Sequence, residues 1–366
     1  MLLYLISIYV DVILANAYGI YFEVCYFREN LREVAARLSH DEETKRKTDP
    51  EETHERSIII IGSKGVGKTT MVYKFLEKDD TPKSTIAMDY SFGRKAGKSL
   101  VKEVVHVWEV GHLASSLISA AMTGSAVTHS PNHTTLIIML DLSKPEVLWS
   151  TLEESLSVAR SAIKMSYAPE LVKDMIAWRG KEKKKVVEKA ADTFPMKLCI
   201  VGGKYDQFKV LEFELYKKQH IGRILRAVAQ TLGADLQYHS SKDSGLVRKT
   251  KDLLSYHGFG SHAGISMDYE KALVIPVGTD SFASIDLKFP SSKPAITLDT
   301  IKQSYIARIP QGTKDEDSSL EDPANDPNFN EAIIDRLRMQ REEEISVLLR
   351  DMLEGRSPKI PIPEPC

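Results

Sequence analysis

Residues Ile58 to Thr70 read IIIIGSKGVGKTT, and no other stretch restricts the fold as tightly. Four successive isoleucines ending in glycine describe a strand buried on both faces, the condition of a parallel sheet with helices on each side. The residues that follow, Gly62, Ser63, Lys64, Gly65, Val66, Gly67, Lys68 and Thr69, satisfy every fixed position of G-x-x-x-x-G-K-[ST] between a strand and a helix. Glycines at these places let the backbone curl so that successive N–H groups point at a β-phosphate, helped by the dipole of the helix that opens near Thr70. Lys68 would then reach the β- and γ-phosphates, and the Thr69 hydroxyl would sit on Mg²⁺. The bland alternative is a glycine-rich turn with no ligand.

Similar apolar runs recur along the chain. LIIML ends in Asp141, KLCIV ends in Gly202-Gly203, and the weaker DLQYH ends in Ser240-Ser241-Lys242. Helical stretches are expected between them, over 70–77, 146–166, 169–191 and 208–232, with one more strand near 272–277. Alternating strands and helices predict an α/β fold whose sheet is mainly parallel and covered on both faces, with ligands at the carboxyl ends of the strands.

Segments outside that alternation read differently. The apolar start MLLYLISIYVDVILANA resembles a leader with an A-x-A site, but it lacks a basic n-region and Asp11 interrupts it. It is also too short and interrupted for a membrane span. A packed helix or strand, or a mis-assigned start, is the expectation for it. Leu31 to Leu38 fits a short amphipathic helix, and 40–56 a charged linker. We therefore expect an extension over 1–56, a folded domain over 57–290, a linker over 291–329, a helix over 330–356 and an extended tail over 357–366. In the helix, Ile334, Leu337, Ile345, Leu348 and Met352 fall roughly on one face and suggest docking. The basic run Lys181 to Lys185 reads as a solvated face.

Charge and cysteine content exclude some classes. A formal net charge of −2 in 366 residues gives no electrostatic case for nucleic acid or an acidic membrane. Cys25, Cys199 and Cys366 lie too far apart for metal-ligand spacing and read as free thiols in a reducing compartment.

A Ras-like GTPase needs switches and a base reader as well as a cradle. Thr85, in PKSTI, stands where a first switch would offer a hydroxyl to Mg²⁺; the plainer reading is an ordinary strand threonine. VWEVGH, Val107 to His112, resembles the second switch W-D-x-x-G-Q, but its glycine comes one residue early and His112 replaces the glutamine. An imidazole can position water, yet a displacement of about 1 Å can cost about 10²-fold in rate. His112 is therefore expected to be a surface or packing residue. Guanine readers use N-K-x-D and a later S-A-K. Here Gly203-Lys204-Tyr205-Asp206 and Ser240-Ser241-Lys242 follow that order without the asparagine. Lys204 can lie along the purine, and Asp206 can accept from guanine N1–H and N2–H; the alternative is a polar turn.

Taken together, IGSKGVGKTT, PKSTIAMDYSFGR, VWEVG, LDLSKPEVLW, GGKYDQF, GADLQYHSSK, GTDSF and DPANDPNFNE make the chain resemble the dynein light intermediate chains, specifically those of cytoplasmic dynein 2, over about 57–353. The resemblance implies a Ras-like P-loop domain with a C-terminal helical extension, used as a non-catalytic scaffold. It implies GDP or GTP with Mg²⁺ as a structural ligand, with the dynein 2 heavy chain, other dynein 2 subunits and intraflagellar transport particles as partners. It also implies a place in cytoplasm and cilium, in retrograde intraflagellar transport. Residues 1–30 are not covered by it. The alternative function is an active GTPase switch with Glu109 near Mg²⁺ and His112 near the attacking water.

Overall fold

The computed structural model describes residues 55–96, 102–123, 131–183, 192–211, 214–260, 265–269, 271–287, 297–312 and 331–356, all within one compact unit, His54–Cys366. The expectations for 1–54, for helix over 184–191, for the acidic linker 314–327 and for the tail 357–366 lie outside these residues, as do the side chains of the 181–185 run.

The strands are β1 (Glu55–Gly62), β2 (Met88–Ala96), β3 (Lys102–Val110), β4 (Thr134–Asp141), β5 (Lys197–Gly203), β6 (Asp235–Tyr238) and β7 (Val274–Ile275). They form a seven-stranded sheet in the order β2-β3-β1-β4-β5-β6-β7. From β3 to β6 all neighbours are parallel; β2 and β7 are antiparallel edges. β1 lies between β3 and β4, so successive connections leave it in opposite directions. Such a reversal opens a crevice at the strands' carboxyl ends, and the Gly62 turn lies there.

The isoleucine run is buried as its composition demands. Ile58, Ile59, Ile60 and Ile61 are each 0% exposed, which requires cover on both faces of the sheet. Because strand side chains alternate, Ile59 and Ile61 join one core and Ile58 and Ile60 the other. The first core takes in α2 (Ser115–Thr123), α3 (Pro145–Ser166) and α6 (Leu215–Leu232); the second is closed by α1 (Lys68–Phe75) and α7 (Ser244–Phe259). Other helices are α4 (Pro169–Lys183), α5 (Tyr205–Val210), α8 (Phe282–Ile285), α9 (Leu298–Ile306) and α10 (Ala332–Leu353).

Two expectations change. The helix foreseen over 208–232 is two, α5 and α6, with α6 starting after the extended Glu214. The linker foreseen over 291–329 contains α9, whose Ile301 and Tyr305 are fully buried and whose Tyr305 hydroxyl donates to the Pro145 carbonyl at 2.6 Å. The β2–β3 hairpin and α7 were not foreseen. In contrast, α10 is exposed along nearly its whole length: Ile333, Ile334, Leu337, Ile345 and Met352 are each more than half exposed. Among the described residues, no helix is long and apolar enough to cross a membrane.

A buried ion pair fastens the last part of the domain to α6. Arg226 donates through Nε and Nη2 to the two carboxylate oxygens of Asp280, each at 2.7 Å, and through Nη2 to Ser284 Oγ at 3.1 Å. Both side chains are almost wholly buried (3% and 4% exposed), so neither charge has water to fall back on. Asp280→Ala is expected to destabilise the domain by roughly 3 to 5 kcal/mol, because it strands a buried guanidinium. Urea denaturation checks this; an unchanged midpoint would mean that water replaces the carboxylate without cost.

Candidate nucleotide site

The cradle begins where β1 runs out of side chains. Gly65 and Gly67 lie at φ 72° and 105°, conformations that few other residues adopt, and Gly67 is the N-cap of α1. This curl brings Lys68 back over its own loop. Its Nζ donates to the carbonyls of Gly62 and Ser63, both at 3.0 Å, and the residue is only 5% exposed. Burial lowers the ammonium's affinity for its proton, and the charge of Glu109 acts in the opposite direction. An anion such as a phosphate would offset that burial cost, so Lys68 fits the role assigned to it. Val66 is buried, Ser63, Thr69 and Thr70 are half-buried, and Lys64 points outward.

On the metal side, three residues far apart in sequence converge. Thr69 Oγ1 donates to Glu109 Oε1 at 2.6 Å, and the Thr85 hydroxyl bears on the same carboxyl. β3 pairing fixes the arrangement, since Glu109 lies beside Ile60 of β1 and Asp89 of β2. Burial raises the Glu109 carboxyl above its ordinary range, while Thr69, Thr85 and Lys68 pull it down and Asp89 adds to the rise. Two hydroxyls and a carboxylate are hard oxygen donors of the kind Mg²⁺ takes, and a divalent cation would offset the buried negative charge. The donor set therefore fits Mg²⁺, with the hydroxyls of Thr69 and Thr85 both bearing on Glu109.

The early glycine of VWEVGH has a packing role. Gly111 N donates to Ala87 O at 2.8 Å, and a Cβ on Gly111 would run into the Thr85 carbonyl and lie 2.7 Å from that of Ile86. The Thr85 loop is thereby clamped to the end of β3. Next to it, His112 is half-buried and borders a cleft of about 720 Å³ shared with Gly62, Lys64, Asp141, Lys144 and Lys204. Thr69, Thr85 and Asp206 do not line this cleft, which covers the first half of the cradle and the side facing α3.

The base side is held by its own hydrogen bonds. Lys204 adopts the left-handed conformation, φ 55°, at the N-cap of α5, and its Nζ bonds to Asp141 Oδ2 at 2.7 Å. Asp141 Oδ1 in turn accepts from the backbone N of Ser143 at 2.9 Å. Asp206 Oδ1 accepts from Ser240 Oγ at 2.7 Å, and its other oxygen is 3.4 Å from Lys242 Nζ. Burial pushes the Asp206 carboxyl up, but those bonds more than compensate and leave it below the ordinary range. Ser241 is exposed. The structure thus brings Lys204, Asp206, Ser240 and Lys242 together as foreseen, next to the cradle through the Asp141–Gly203 pairing of β4 and β5. Asp141 is the residue that sequence reasoning did not assign. Its signal was a lone carboxylate closing an apolar strand, which is where α/β folds keep ligand-side groups.

Comparison with known proteins identifies the family. A model of the dynein light intermediate chain family matches residues 38–195. Cytoplasmic dynein 2 light intermediate chain 1 of Danio rerio is 33% identical over 342 residues, covering 88% of this chain and 94% of that one. The Homo sapiens protein of the same name is 33% identical over 321 residues, covering 81% and 88%. Among solved structures, the crystal structure of the dynein light intermediate chain's conserved domain aligns with a TM-score of 0.53 at 18% identity. It covers 71% of this chain and 99% of that one, a likeness of fold alone.

Glu109 makes a pH prediction. Its carboxyl is raised in the fold, so its contribution to stability is full below the ordinary carboxylate value of about 4.3 and is lost as pH rises through the folded value. Without Mg²⁺ or nucleotide, Glu109→Gln should match the wild type in acid and unfold at higher temperature near neutral pH. Parallel melting profiles across pH would contradict this.

Proposed function

The chain belongs to the dynein light intermediate chain family, and from that premise we propose that it is a non-catalytic light intermediate chain of a cytoplasmic dynein 2 motor. In this reading it binds the dynein 2 heavy chain, supports its stability, and serves retrograde intraflagellar transport in cilia. The names and coverage of its relatives support the motor assignment. The observation that carries the non-catalytic part is the Gly111 clamp. The loop bearing Thr85 is fastened to β3 by a hydrogen bond and by close backbone packing, without reference to a γ-phosphate. A switch has to release that loop, and this geometry opposes release.

The cradle then holds GDP or GTP with Mg²⁺ as a structural ligand. The P-loop amides and Lys68 bind phosphate, Thr69 and Thr85 with Glu109 behind them hold the metal, and Lys204, Asp206 and the Ser240–Lys242 loop meet the base. When bound, Mg²⁺ supplies charge neutralisation between phosphate oxygens and the buried carboxylate. A ligand that binds only the folded state stabilises it by about 4 kcal/mol at a thousandfold excess over its Kd. We place the heavy-chain contact partly on α10, whose apolar residues would gain burial on docking. One observation favours the second reading, an active GTPase: His112 borders the cleft beside Gly62 and Lys64. In the sequence, no glutamine follows Gly111 to orient water.

Lys68→Ala separates the readings. As a structural-ligand variant it lowers both the thermal midpoint and co-purification with the heavy-chain tail. A switch variant keeps its fold and loses only nucleotide-dependent partner choice. Truncation after Asp322 tests α10 independently: heavy-chain association should weaken, and full association would remove α10 from the account.

A further inference from the structure

The base loop lacks the asparagine that the N-K-x-D pattern uses, and the structure shows what fills its volume. We infer that Met139 is the positioning residue that couples the phosphate loop to the base loop, an apolar strut in place of an amide. The inference deepens the guanine-nucleotide reading and rests on it.

Met139 stands near the carboxyl end of β4, between Gly62 of β1 and Val201 of β5, and is 0% exposed. Its methyl carbon lies 3.7 Å from where a Cβ on Gly67 would be and 3.0 Å from where a Cβ on Gly203 would be. One side chain therefore lies against the open sides of two glycines, one at the end of the phosphate loop and one at the start of the base loop. The carbonyl oxygen of Val66, in the phosphate loop, is 3.1 Å from that same Gly203 point. An asparagine at 203 would thus have a phosphate-loop carbonyl within reach of its amide. It would also need the space that the Met139 methyl holds. The two ways of tying the loops together compete for that space: a side chain at 203 would press on the Met139 methyl, which would have to give way by a few tenths of an ångström, whereas a glycine at 203 leaves the methyl where it is. This chain uses the second.

The consequence for the site runs through the next residues. Gly203 leads directly into left-handed Lys204 and then Asp206, and Gly203 O also accepts from Leu142 N at 3.2 Å. A shift of Gly203 relative to Val66 would move the Lys204 stem and the Asp206 carboxylate relative to the phosphates. Met139 sets that distance by contact. Thioether packing is more compliant than a hydrogen bond, so the coupling tolerates small strand movements but depends on filled volume.

A double-mutant cycle tests the pair. Met139→Ala, Gly203→Asn and the combined variant are made in the full chain. Thermal midpoints are read without added nucleotide, and the affinities of fluorescent GDP and ADP analogues are measured. Each single change is expected to weaken GDP by about 10-fold and shrink the GDP-over-ADP preference, while the double returns to within about 3-fold of wild type. Met139→Leu should stay close to wild type. Additive losses, or equal losses for GDP and ADP, would overturn the inference and leave Met139 as ordinary core. If the wild type takes up no nucleotide, the guanine reading fails by itself, and the melting cycle still decides the strut: non-additive midpoints uphold it and additive ones overturn it. Should either single change yield insoluble protein, Gly203→Ala with Met139→Val, which removes the methyl, runs the same cycle with smaller steps.

Discussion

A strand with no exposed side chain must be covered from both sides, and β1 imposes that condition on everything around it. Its four isoleucines alternate between two cores, which requires helices on each face and parallel neighbours that place those helices there. Polar chemistry is thereby pushed to the strand ends. Gly62, Gly111, Asp141, Gly203 and His239 all stand at or just past the carboxyl ends of β1, β3, β4, β5 and β6, so the cradle, the clamp and the base loop share one edge.

At that edge the energetics are unlike those of an exposed active site. Lys68 and Glu109 are both buried, and burial moves each toward its neutral form. Each is partly offset by the other and by local hydrogen bonds. A phosphate and a divalent cation would complete that offset, which is why a bound nucleotide would act on the fold as a whole. The same edge is stiffened by contacts that need no nucleotide: the Gly111 clamp, the Lys204–Asp141 ion pair and the Asp206–Ser240 bond. The two loops are thus held by contacts of their own, while the burial of Lys68 and Glu109 is left for a ligand to balance.

Much of this was legible before the structure. β1, β4 and β5 announced themselves because buried parallel strands are continuous apolar runs, β6 more weakly because Asp235 and Gln237 interrupt it, and the cradle because its glycines sit at fixed spacing. The β2–β3 hairpin did not, since β2 is an edge strand whose Tyr90 and Phe92 stay exposed and whose sequence carries Gly93, Arg94 and Lys95. Helix α7 hid because buried Thr250 and His257 dilute its apolar stripe. Helix α9 sits close to proline- and serine-spotted sequence, and its burial comes from tertiary packing that local composition does not report. Thr69, Lys204 and Asp206 were readable from motif order. The Met139–Gly203 complementarity was not, because it exists only across two paired strands.

The central claim is that the cradle retains guanine nucleotide as part of the fold. The direct measurement is to denature the purified protein and separate the released small molecules by anion exchange, alongside a turnover assay with added GTP. The account predicts close to one GDP or GTP per chain and no steady hydrolysis. An empty site, or GTP cleaved and released in repeated cycles, would contradict it.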